Sequence, residues 1–123
     1  EEHTIRLGYP GHFIAWLDSF ISETPSDVYI QALKKCELQV VTKSDYMRFV
    51  QSDSDVRAIW QPLMEQFIYQ QIEREKDILT RSPKERHERV LARSPQLFQE
   101  IPLKHIASYL NMAPETLSRL KKS

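Results

Sequence analysis

The chain has 123 residues, with 17 Lys and Arg against 17 Asp and Glu, so its formal net charge is zero. An apolar content of 41% and a charged content of 28% suit a folded chain and exclude an intrinsically disordered one. No apolar run approaches the ~18 residues of a membrane span, and the single Cys36 excludes an internal disulfide or a multi-cysteine metal site, so a reducing, cytoplasmic location is expected.

Only two glycines occur, Gly8 and Gly11, so Gly-rich phosphate loops are absent. The neutral total argues against a nucleic-acid partner, but it hides an asymmetry. Residues 1–60 carry six Lys/Arg against nine Asp/Glu, a net of −3, and residues 61–123 carry eleven against eight, a net of +3. A basic C-terminal end on an acidic body suits a polyanion at one end of the molecule.

In chain order, His3–Tyr9 alternates polar and apolar residues and predicts a half-buried strand, closed by a turn at Gly8-Tyr9-Pro10-Gly11. Phe13, Ile14, Trp16, Leu17, Phe20 and Ile21 recur at helical spacing and predict a short amphipathic helix. After a Ser/Thr/Pro loop, Val28–Leu33 and Leu38–Val41 read as two further strands joined through Lys34–Glu37. Ser44 or Asp45 can cap a short helix carrying Tyr46, Met47, Phe49 and Val50.

From Ser54 to Leu79, apolar residues at helical spacing predict a helix of about 25 residues, ~37 Å long. That is longer than so small a body can cover, and Pro62 is expected to kink or split it. Val56, Ile59, Leu63, Phe67 and Ile72 are the residues expected to pair with a second copy of the helix. Three Pro-marked helix starts follow, at Ser82-Pro83-Lys84-Glu85 (a capping box), at Ser94-Pro95 and at Pro102.

Leu103–Leu120 carries the chemistry. Ile106, Ala107 and Leu110 form the inner face of one helix, and Leu117 and Leu120 that of a second. Asn111 stands between them where a sharp turn needs a positive φ, Met112 plugs the angle, and Pro114 opens the second helix. These are the requirements of a helix-turn-helix whose second helix enters the DNA major groove. Its outer face then shows Glu115, Thr116, Ser118, Arg119 and Lys122. Arg119 can donate twice to guanine and Glu115 can accept from cytosine. Lys104, His105, Lys121 and Lys122 are placed for backbone phosphates.

The stretch from Ser82 to Lys122 resembles the C-terminal domain of bacterial Crp/Fnr-type transcription regulators, in particular a branch common in Bacteroidetes-type bacteria. Upstream, Ile5–Val41 looks like the later strands of that family's cyclic-nucleotide-binding roll, and Ser54–Leu79 sits where it has its dimerisation helix. The resemblance implies an α+β fold: a partial β-roll (jelly-roll-like) over 1–52, a long dimerisation helix over 53–81, and a helix-turn-helix domain over 82–123. It also implies that the roll's earlier strands precede this sequence in a longer protein.

Where the family's nucleotide cassette has Gly-Glu and Arg-Ser, this chain has Gly11-His12 and Ser26-Asp27. The resemblance therefore implies a degenerate effector cassette, because a carboxylate repels the phosphate it would have to hold. Tight cyclic AMP binding is not expected, and no cofactor or metal is implied. Pro114 stands where the family often has an arginine, which removes one base contact.

The expected function is a homodimeric, sequence-specific DNA-binding regulator of transcription, with double-stranded DNA, a second copy and RNA polymerase as partners. The alternative is a protein-interaction module with no DNA role. An enzyme is not expected, because His3, His12, His87 and His105 are scattered and no catalytic motif or acid–base pair stands out.

Overall fold

A computed structural model describes residues 3–122. Its elements are α1 (Leu17–Ser22), α2 (Lys43–Ser52), α3 (Ser54–Leu79), α4 (Pro83–Arg93), α5 (Leu97–Glu100), α6 (Leu103–Tyr109) and α7 (Pro114–Lys122). Helix accounts for 61% of the described residues, which contain no strand. The expected α+β architecture with a partial β-roll is therefore overturned.

The reason lies in where the backbone bonds go. An alternating segment becomes a strand only when a neighbouring strand accepts its N–H groups. The 3–9 segment is irregular, and at Thr4 the backbone N–H donates to Ser108 Oγ at 3.1 Å while the carbonyl accepts from Arg74 at 3.3 Å. Residues 28–33 and 38–41 form no ladder, and apart from half-buried Val28 their apolar side chains stay exposed, to 89% at Val40. The turn after the first segment does form: His12 N–H reaches the Tyr9 carbonyl at 3.1 Å across Pro10-Gly11, and Gly11 has the positive φ of 96° that a type II turn requires.

By packing, the chain divides into two units, one holding residues 3–13 with 71–122 and the other residues 14–70. In the second unit α1 is shorter than its apolar spacing predicts, leaving Phe13 and Ile14 outside it and exposed. Thr42 rather than Ser44 or Asp45 caps α2, its hydroxyl accepting from the Asp45 N–H at 3.1 Å. Val50 is buried there, and Trp60 stacks obliquely on Tyr46 and Phe20, with ring centroids 5.4 and 6.4 Å away. Of the expected kink or split at Pro62, the split does not occur: helix α3 runs from Ser54 to Leu79 with Pro62 inside it. One proline removes a single hydrogen bond, and the remaining turns carry the helix across it.

The unit of residues 3–13 and 71–122 holds the main core: Val90, Leu97, Ile106, Ala107, Leu110 and Leu117 are buried, with Leu7, Tyr9, Phe98 and Met112 packed against them. Leu7 and Tyr9 belong to the N-terminal segment, so that segment straps onto the C-terminal helices. Over residues 1–13 and 71–123, twelve Lys/Arg stand against nine Asp/Glu, a net of +3.

Candidate nucleic-acid interface

The scaffold begins at α4. Ser82 caps it by accepting the Glu85 N–H at 3.3 Å, with Pro83 at the first helical position. His87 and Val90 turn inward, and the His87 ring meets Phe98 edge-on with centroids 5.3 Å apart. Pro95 opens a turn into α5, and Pro102 precedes α6.

Helix α6 ends in a Schellman motif. Asn111 takes φ 55°, its N–H bonds the Ser108 carbonyl at 3.1 Å, and the Met112 N–H bonds the Ala107 carbonyl at 3.0 Å. Met112 packs on the core, and Ala107, fully buried, lets the two helices approach. Helix α7 then starts at Pro114 and packs on α6 and α4 through Leu117, which has no accessible surface. Residue types and spacing in this stretch dictate the observed geometry.

With Leu117 inward, helical geometry carries Glu115, Ser118, Arg119 and Lys122 together on the opposite side of α7. Glu115, Arg119 and Lys122 are exposed and Ser118 is half-buried. Thr116 is half-buried on the flank shared with Leu120. Lys121 lies toward α4, where its charge acts on His87. Lys104 is exposed in the first turn of α6, and His105 beside it is half-buried. The last turn of α7 carries Arg119, Lys121 and Lys122, which also complement the helix dipole.

Two arginine systems tie this unit together, and neither is evident from motif reading. Asp77, at the end of α3, is fully buried and accepts from Arg89 Nε at 2.9 Å and from both terminal nitrogens of Arg93. Glu73 pairs with Arg89 at 3.0 Å and Arg93 at 3.6 Å. Burial alone would weaken the hold of Arg93 on its proton, but its bond to Asp77 and the carboxylate's charge raise its pKa above the ordinary value. Arg86 donates to the Thr80 carbonyl at 2.8 Å, the Arg81 carbonyl at 3.1 Å and the Asn111 carbonyl at 3.4 Å. It thereby links the end of α3 to the turn before α7. The usable sequence signal was the matched four-residue spacing of Glu73/Asp77 and Arg89/Arg93 on successive helices.

The cassette residues fall into different packing units: Gly11 and His12 in one, Ser26 and Asp27 in the other. His12 stacks on Tyr9 with centroids 3.9 Å apart, and burial lowers its pKa below the usual histidine value. The Ser26 hydroxyl closes a local turn onto Val28, donating to its carbonyl at 2.8 Å. Ser26, Trp16, Phe20, Glu23 and Lys43 line an open cleft of about 660 Å³, and Asp27 is exposed. On α3, Val56, Leu63 and Phe67 are half-buried, whereas Ile59 and Ile72 are exposed to 64% and 44%.

Among the described residues no helix is long and apolar enough to cross a membrane, and no cluster of His, Cys, Asp and Glu could hold a metal ion. Comparisons with known protein families, with curated proteins and with solved structures find no match to this chain.

Proposed function

We propose that the chain binds double-stranded DNA sequence-specifically, with α7 laid in the major groove, and that it regulates transcription as a dimer. The observation that carries this reading is the α6–α7 pair: a Schellman turn at Asn111 joins two helices, Leu117 anchors the second, and Glu115, Ser118, Arg119 and Lys122 share its outer face. The +3 charge of this packing unit supports a polyanion partner where the whole-chain charge does not. Arg119 and Glu115 would read base edges, while Lys122 and Lys104 would hold phosphates.

The dimer part of the reading rests on α3, where Ile68 and Ile72, one turn apart, are exposed to 58% and 44%. A second copy of α3 would cover them and set two α7 helices about one DNA turn, ~34 Å, apart. Contact with RNA polymerase belongs to the same reading. The proposed sensor is no longer a β-roll.

Selection of bound duplexes from a random-sequence library, followed by gel-shift titration at two salt concentrations, tests the proposal. Enrichment of a two-fold-related site and a steep loss of affinity with salt are expected. Absence of duplex binding, or binding indifferent to salt, overturns it.

A further inference from the structure

The cleft in the unit of residues 14–70 has no part in the helix-turn-helix reading. Its volume of about 660 Å³ lies within the ~300–1,000 Å³ of small-molecule sites. Trp16, Phe20, Val28 and Ile30 give it an apolar lining, and Glu23 and Lys43 add two charges of opposite sign. Of the cassette positions only Ser26 lines it, so it is distinct from the degenerate nucleotide cassette.

Both charged residues are held in place. Glu23 follows α1 and takes φ 60°, a conformation that a residue with a side chain rarely adopts. Its N–H bonds the Ser19 carbonyl at 2.9 Å, and the Ser19 hydroxyl donates to the Thr24 carbonyl at 2.5 Å. Lys43 opens α2, and its ammonium lies 5.1 Å from the centroid of the Phe20 ring. Trp60 supports Phe20 in turn.

The Lys43 ammonium stands 3.8 Å from the Glu23 carboxylate, longer than a hydrogen bond. Glu23 is exposed and Lys43 half-buried, so the pair contributes little stability and both groups can turn to a ligand. A simple carboxylate would be attracted by Lys43 and repelled by Glu23, and a simple amine the reverse. A molecule that carries both charges side by side, with an apolar remainder, satisfies the two residues and the lining together. That is the chemistry of a free α-amino acid with an apolar side chain. In a peptide the two charges stand apart, at opposite ends.

We propose that this cleft binds a free apolar α-amino acid. Its carboxylate meets Lys43, its ammonium meets Glu23, and its side chain lies against Trp16 and Phe20. Every residue of the site belongs to the unit of residues 14–70, so the inference does not depend on the DNA reading.

Titration of the intact chain with L-phenylalanine and L-leucine, followed by calorimetry and by tryptophan emission, tests it. Saturable binding is expected, with a change in emission because Trp16 lines the cleft. 3-Phenylpropionate, which lacks the ammonium, and phenethylamine, which lacks the carboxylate, should each bind about tenfold more weakly than L-phenylalanine, the loss of one charge-assisted contact. Lys43→Gln should weaken L-phenylalanine binding about tenfold and abolish its advantage over phenethylamine. Glu23→Gln should do the same relative to 3-phenylpropionate, and its exposed position keeps the fold. Failure of both amino acids to bind the intact chain overturns the proposal. So does 3-phenylpropionate binding as tightly as L-phenylalanine, or undiminished binding in Glu23→Gln or Lys43→Gln with a native helix signal.

Discussion

Asp77 has no accessible surface, and its carboxylate accepts a 2.9 Å hydrogen bond from Arg89 Nε, twelve residues away on the next helix. With Arg93 on its other oxygen, this fastens the end of α3 to α4, and α4 in turn packs on α7. The position of α7 relative to the end of α3 is therefore held by charge as well as by the apolar core.

Asp77→Ala should cost about 3 kcal/mol, because two partly buried guanidiniums lose their shared acceptor. Urea unfolding should show a lower midpoint with little change of slope. Arg89→Ala should cost less, since Arg93 still holds Asp77. Equal costs for the two would mean that the network does not act as described.

The turn at Asn111 makes a sharper test of local geometry. Asn111→Gly should be close to neutral, because glycine takes φ 55° without strain. Asn111→Val should destabilise by about 1–2 kcal/mol through the Cβ clash alone. Thermal melts of both variants check this, and a valine variant as stable as the parent would contradict the turn geometry.

On the proposed DNA face, Arg119→Ala should cost about 1–3 kcal/mol at one base position and relax sequence preference there. Lys122→Ala should weaken binding to all duplexes alike and reduce the slope of log affinity against log salt by about one. Gel-shift titrations over a salt series distinguish the two effects. If both variants behave identically, base reading has been assigned to the wrong residue.

His87 supplies a pH dependence. Its side chain is buried at 7% exposure, and burial lowers its pKa below the ordinary value of 6.5, with Glu88 opposing and Lys121 adding to the effect. The unfolded chain therefore binds the proton more readily than the folded one. The sign follows: stability is full above pH ~6.5 and falls as the pH drops toward and below that value. His87→Phe should keep the contact with Phe98 and flatten the fall in melting temperature between pH 7 and 5. An unchanged slope in that variant would assign the acid sensitivity to other groups.

What the sequence determined by itself was local. The caps at Ser82, the Schellman turn at Asn111, the start of α7 at Pro114 and the inward row Ile106, Ala107, Leu110 and Leu117 all depend on neighbours within a few residues, and each stands where its chemistry required. The division between buried Leu117 and the outer residues of α7 was legible for the same reason. The expected strands failed because alternation specifies a face, whereas a strand exists only if a second segment supplies hydrogen bonds. In the 3–9 segment the bonds at Thr4 run instead to Ser108 and Arg74, 104 and 70 residues away. Such partners, like those of Asp77, carry no local pattern. Only the tertiary structure could bring Arg6 to the basic end of the chain, and the two packing units carry net charges of +3 and −3.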